Sequence, residues 1–477
     1  MTVKTSYLSF GSALLLTACF SPTGSDPGTA GPTSGDTTEP PATATEPGTT
    51  AVEPTTGEAD TDTTTTTTTG VATEPPTGTS TTLEPCTLDI CPCQGDVDCE
   101  PGLQCHAGQC VECIDSATCG GRVCDPVDHV CRGCREHAEC PETACELDDG
   151  LCFPDEATSH AYVDPSSACS DQPCSFAQPC CSVAQAHGQF FDTTHLVFHL
   201  APGLYQAGIE VSEGGRRIAV LGGPGVVFTV DADPVIRLGL ARPPIDSELY
   251  LSQIVIEGGQ GSAAVRCSAA ADLWLDDSAI LGFTGRAVAV SDCDVVLRRS
   301  ELRLNLEGML VEDGGTLRLE NSLVAHLNMG PALAIGSAAA ADLVYTTLGD
   351  ITQHMFGLFT CLDGTATLVA RNSALLSHVL VDTFDCVPSA VDIRDSVVTL
   401  GPFANPDKNT HLIQANEVSP IFAGWDAGLL HLAGDGGALA GRARWQPGDP
   451  QTDIDGDARP ATAGAPDVAG GDRPPDP

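Results

Sequence analysis

The sequence predicts an all-β protein, most of it a solenoid of short strands wound into stacked coils, preceded by a disulfide-rich module and a disordered linker. Three observations predict this. Two apolar columns persist through seven units of 22–26 residues. Fourteen Cys crowd into residues 86–152. Residues 22–85 are almost entirely Thr, Pro, Gly, Ala and acidic residues, with no Lys or Arg. Composition agrees: 50 Gly and 35 Pro mean frequent turns, and aromatic residues make up only 5% of the chain. The formal net charge of −43 repels phosphate backbones and excludes nucleic acid as an expected partner. With 477 residues the chain has room for several domains, and 23 Cys point to an oxidising compartment.

The chain opens with one cation, Lys4, and a short apolar run from Leu8 to Leu16. That run is too short to span a bilayer but suits the apolar part of an export signal. It ends in Leu16-Thr17-Ala18-Cys19, which resembles the lipobox of bacterial lipoproteins. The resemblance implies a signal over residues 1–19, with Cys19 as the lipidated residue. It also implies a membrane partner through that lipid, and Phe20 after the cysteine implies outer-membrane sorting. Residues 20–85 follow as a linker. A Thr/Pro segment with an unbroken run from Thr63 to Thr69 cannot bury enough apolar area to offset its chain entropy, and is expected to be disordered.

Residues 86–154 form the cysteine-rich module. Cys93, Cys99, Cys105 and Cys110 are followed by Cys113, Cys119, Cys124 and Cys131, then by Cys134, Cys140, Cys145 and Cys152. Units of about 20 residues without a large apolar face need covalent constraint, and disulfides supply roughly 2–4 kcal/mol each. Zinc is the rival reading of the C-x2-C junctions, but an oxidising compartment and the lack of paired His favour disulfides. The spacing leaves the connectivity open. The module resembles the small Cys-rich repeats of extracellular bacterial lipoproteins.

From residue 160 to 446 the texture changes to short Val/Ile/Leu/Ala stretches of period two, broken by Gly, Asn and Asp. An anchor column runs Ile254, Ser278, Ser300, Ser322, Leu348, Ser373, Ser396. Three residues before each anchor stand Leu251, Leu275, Leu297, Leu319, Tyr345, Ala370 and Ile393; five before stand Leu249, Leu273, Val295, Leu317, Leu343, Leu368 and Val391. Both columns are expected to point inward. The residue just before each anchor is mostly polar, as a turn prefers, and is expected to form a hydrogen-bonding ladder between coils. Repeats of this length made of strands and turns mean a solenoid.

The pattern resembles the right-handed parallel β-helix of pectate-lyase-like proteins. Leu200-x-x-Gly203-x-Tyr205 is similar to a stretch near the start of many such domains, and Asp453-x-Asp455-Gly456-x-x-Arg459-Pro460 resembles the ending of many bacterial surface members. Cys169, Cys174, Cys180 and Cys181, beside a short helical stretch at 182–187, look like a disulfide-pinned N-terminal cap. Two inter-coil disulfides are expected, Cys267 with Cys293 and Cys361 with Cys386. Residues 447–477 are read as a C-terminal tail.

Enzymes of this fold cleave acidic polysaccharides. The clustered Asp, G-H-G and R-I-K strings of the hydrolases are missing here except for the pair Asp276-Asp277. Asp276, Arg298 and Glu320 succeed one another two residues before their anchors, an alternation of sign that cross-strand pairing alone explains. The outward column between the two inward ones holds Tyr250 and Trp274, which with Asp276 and Arg298 make a candidate platform for sugar rings. Asp453, Asp455 and Asp457 are weak calcium candidates; otherwise no cofactor is expected. The sequence therefore reads as a non-catalytic, lipid-anchored surface protein for adhesion or for recognising a polysaccharide or surface-protein ligand. A polysaccharide lyase or hydrolase on the same scaffold is the alternative.

Overall fold

A computed structural model describes residues 93–474 apart from 142, 171, 230–232, 240–245, 327–328, 351–357, 378–383 and 400–408. Cys19, the linker, Cys86 and Cys91 lie outside the described residues. No helix among the described residues is long and apolar enough to cross a membrane.

The chain is a parallel β-solenoid preceded by a disulfide-rich module. Its strands fall into three parallel sheets, which we call I, II and III. Sheet I has ten strands, from Thr158–Val163 to Val391–Arg394; sheet II has ten, from Gly203–Tyr205 to His411–Ile413; sheet III has eight, from Ile209–Val211 to Phe384–Asp385. From His195–Leu200 to Val397–Thr399 the strands visit I, II and III in turn. Leu273 pairs with Leu249 behind and Val295 ahead, and Leu275 pairs with Leu251 and Leu297. These two columns are buried and line one continuous core.

The corner between sheets I and II is the most constant in the coil. From Ser252 onward it takes two residues, the first in the left-handed region: Gln253, Asp277, Arg299, Asn321, Tyr345, Asn372 and Asp395 have φ between 46° and 56°. From Gln253 to Asn372 each of these N–H groups donates to a carbonyl one coil ahead, as in Asp277 to Arg298 and Arg299 to Glu320. The second corner residue carries the hydroxyl ladder: Ser300 Oγ accepts from Ser278 N at 3.4 Å, and Ser322 Oγ accepts from Ser300 N at 3.3 Å.

Two expectations are corrected here. In the fifth unit the anchor is Thr346, not Leu348: Val344 pairs with Glu320 and Arg371, and Thr346 N donates to Ser373 Oγ at 3.2 Å. Leu348 lies within a sheet II strand, paired with Val324. The corner column also does not form an amide ladder. The side-chain amide of Asn321 donates to Thr452 O, and that of Asn372 to Arg444 O, so both hold the C-terminal segment instead.

The ends are closed differently. At the start, Cys169–Cys181 and Cys174–Cys180 pin a cap containing the helix Val183–Gln189, whose N-cap Ser182 Oγ accepts from Gln185 N. The Tyr205 hydroxyl donates to Ala201 O at 2.7 Å while its ring stacks on Phe228. Gly203 is required beside it, since a Cβ there would sit 2.5 Å from Pro165 Cγ. At the other end, residues 415–474 are neither further coils nor a loose tail. Trp425, Trp445, Leu430 and Leu439 pack over Leu323 and Leu376 of sheet II and over Val344 and Tyr345 at its corner with sheet I. Buried Arg459 locks this cap, with its guanidinium 3.1 Å from Asp467, 3.0 Å from Asn321 Oδ1 and 3.8 Å over the Tyr345 ring.

The expected inter-coil bridges are both present, Cys267–Cys293 and Cys361–Cys386. In the module each repeat closes itself by pairing its first Cys with its third and its second with its fourth: Cys93–Cys105 and Cys99–Cys110, Cys113–Cys124 and Cys119–Cys131, Cys134–Cys145 and Cys140–Cys152.

Candidate functional site at the junction of module and solenoid

Strand alternation puts every second side chain of sheet I on its outer face. Register then stacks these side chains into ladders. One reads His195, Arg217, Glu248, Asp272, Asp294; the middle one reads Val197, Ala219, Tyr250, Trp274, Val296; the third reads His199, Leu221, Ser252, Asp276, Arg298. The third repeat of the module lies across them. Phe153 and Ala144, both buried, pack against Val197, Ala219 and Tyr250, with Leu147 and Trp274 at the margin. Phe153 also meets His195 edge-on at 5.2 Å and Tyr250 at 6.1 Å.

This docking overturns the sugar platform. Tyr250 is 0% exposed. Its hydroxyl lies 2.7 Å from both Asp148 of the module and Glu248, and its pKa is pushed far up by burial. Asp276 is buried beneath two cations, 2.7 Å from Arg298 and 2.9 Å from Arg299. Arg298 donates to Arg135 O at 2.8 Å and Arg299 reaches Glu136 Oε1 at 3.2 Å, both in the module. The cross-strand pairing expected of Asp276 and Arg298 is thus real, while Glu320 pairs with Arg318. Residues grouped as a ligand platform fasten one part of the chain to the other. An outward column has two possible neighbours, solvent or another segment, and periodicity within the solenoid does not distinguish them.

The docked module leaves a cleft of about 700 Å³ at its edge, lined by Arg122, Thr143, Glu146 and Phe153 from the module and by His195 and Arg217 from the solenoid. Glu146 Oε1 stands 3.3 Å from Arg217 and 3.7 Å from His195 Nε2. Burial, opposed by Arg217 and reinforced by Glu248, Asp148 and Asp149, raises its carboxyl to about 7. His195 is driven below the ordinary imidazole range by burial and by Arg217. A smaller cavity of about 350 Å³ opens across the module, lined in part by His137, His199 and Asp276. His137 Nδ1 accepts from Cys145 N at 3.1 Å, and burial holds the ring at about 4, so it is neutral. Sequence reading missed Glu146, Arg217 and His195, because only the docking brings them together.

The calcium candidates do not act as a set. Asp453 is fully buried and turned inward: Oδ1 accepts from Asp455 N at 3.0 Å and Asp457 N at 2.8 Å, and Oδ2 accepts from Arg473 N at 2.8 Å. It shapes its own loop, and the half-exposed Asp455 faces away toward His431.

No family model matches the chain. No curated protein matches it either. Among solved structures the chain is similar to one titled "Crystal structure of pectate lyase Pel9A", with a TM-score of 0.35 and 13% identity over 66% of this chain and 97% of that one.

Proposed function

We propose that this chain is an exported surface protein, anchored in a bacterial outer membrane through Cys19, that recognises a polysaccharide or surface-protein ligand in the cleft between module and solenoid. One observation carries the reading: Arg122 and Glu146 of the module converge with His195 and Arg217 of the solenoid on one opening. A cleft of about 700 Å³ holds two or three sugar rings or a short peptide loop, and clefts where two structural units meet are common ligand sites. The leader and Thr/Pro linker suit display away from a membrane, and the acidic surface suits solubility.

The test uses the full chain on arrays of immobilised polysaccharides and cell-surface extracts. Arg122 is exposed, so Arg122→Glu reverses a charge at the cleft mouth without touching the docking contacts. Retention should fall at least tenfold while the melting temperature holds; unchanged retention removes the cleft as the binding site. Separately, Cys19→Ser should move the protein from the membrane to the soluble fraction.

A second reading has its own support. A carboxyl held at about 7 beside an arginine and a histidine is what a general acid or base needs near neutral pH. On that reading the protein is a polysaccharide lyase or hydrolase. Release of reducing sugars or unsaturated products, abolished by Glu146→Gln, would establish it over the binding reading.

A further inference from the structure

We infer that His431, Asp455 and Asp472 form a site for a divalent transition-metal ion of the zinc class, which staples the C-terminal cap. The three residues come from separate pieces of that cap. His431 lies on the strand Leu429–Leu432, Asp455 in the Asp453–Asp457 turn, and Asp472 near the end of the described chain. Their nearest donor atoms all lie within 4.8 Å of one another.

Three features suit this group to a metal ion. The first is spacing. His431 Nδ1 is 3.2 Å from Asp455 Oδ2 and 3.6 Å from Asp472 Oδ2. Tetrahedral ligands about 2.0–2.1 Å from a zinc ion stand about 3.3 Å apart, between the two observed values.

The second is support behind the ligands. Asp453 accepts from the backbone of Asp455 and of Arg473, so a single buried carboxylate sets the positions of the Asp455 loop and the Asp472 segment. Asp472 Oδ2 also accepts from Leu432 N at 2.6 Å, tying it to the residue beside His431.

The third is access. The Asp472 side chain is 5% exposed and that of Asp455 57%, so the group is anchored on one side and open to water, a fourth ligand, on the other. One imidazole and two carboxylates suit zinc and its neighbours. Calcium, which takes six to eight oxygens, is not served by this set.

The experiment uses the full disulfide-bonded chain, stripped with chelator and titrated with Zn²⁺ alone by calorimetry, then with Co²⁺ for its visible spectrum. We expect saturable binding at one ion per chain and a tetrahedral cobalt spectrum. Zn²⁺ should also raise the melting temperature. Asp455→Asn, at an exposed position that does not hold the fold, should weaken Zn²⁺ binding at least tenfold, and His431→Ala should abolish the cobalt spectrum. No saturable binding, equal binding by Asp455→Asn, or calcium binding without a tetrahedral cobalt signal would each overturn the assignment.

Discussion

Asp276→Asn separates a docking role from a ligand-contact role. Asp276 is 2% exposed and accepts from Arg298 Nε at 3.0 Å, from a terminal nitrogen of Arg298 at 2.7 Å and from Arg299 at 2.9 Å. Asn keeps the volume but removes the charge, leaving the largely buried Arg298 guanidinium facing a neutral amide while Arg299 keeps Asp277 and Glu136. Breaking a buried pair by neutralising one partner costs about 3–5 kcal/mol. At about 1.4 kcal/mol per decade, that is roughly a hundred- to several-thousand-fold in an equilibrium constant. Part falls on the solenoid coils and part on the module, since the same arginines bind Arg135 O and Glu136. The assay is denaturant unfolding combined with hydrogen exchange of module amides around Cys134–Cys145. We expect a lower unfolding midpoint and faster module exchange. A double-mutant cycle with Arg299→Ala should show strong non-additivity. If Asp276→Asn unfolds at the wild-type midpoint with its module amides still protected, the docking account is wrong.

Three further outcomes follow from the structure. Glu146 titrates at about 7 in the folded protein and near 4.5 when unfolded, so between those values the folded state holds a proton that the unfolded chain has released. Stability should therefore fall as pH rises from 4.5 through 7, and Glu146→Gln should flatten that slope in melting curves taken across the range. Ser300→Ala removes the acceptor for Ser278 N and should cost about 1–3 kcal/mol by denaturant titration, the penalty of a buried unpaired N–H. Arg459→Met deletes the ion pair to Asp467 and the contacts to Asn321 and Tyr345; limited proteolysis should then cut within 447–474, while the coils before residue 320 keep their exchange protection.

The solenoid was legible because its core is periodic. Leu273, Leu275, Val295 and Leu297 declare their columns by spacing, and parallel register converts spacing into contact. The same logic paired Cys267 with Cys293 and Cys361 with Cys386, each one coil apart. It slipped by two residues at Thr346, where a run of Thr next to Leu348 offers two similar alignments and the left-handed position is filled by Tyr345 instead of a typical turn residue. That choice is explained by the C-terminal cap, which packs on the ring and, more than a hundred residues later, lays Arg459 over it. Tyr250 was misread for a related reason: what covers it, Phe153 and Asp148, belongs to a different repeat with a different period. The cap gave a fainter signal, two of the chain's three Trp at 425 and 445, ahead of the Asp453–Pro460 motif.

The left-handed corner also governs how such a chain can change over time. From Ser252 onward, seven successive passages between sheets I and II take two residues each, although the repeat length varies from 22 to 27 residues. That variation falls outside this corner, much of it on the other two passages: one residue separates Asn305 from Glu307, whereas eight separate Asp350 from Phe359. Insertions and deletions arising there shift neither the hydroxyl ladder nor the inward columns. The molecule thus has one invariant hinge line along which copies of a coil can be gained or lost, and a variable flank where new loops can accumulate without disturbing the stack.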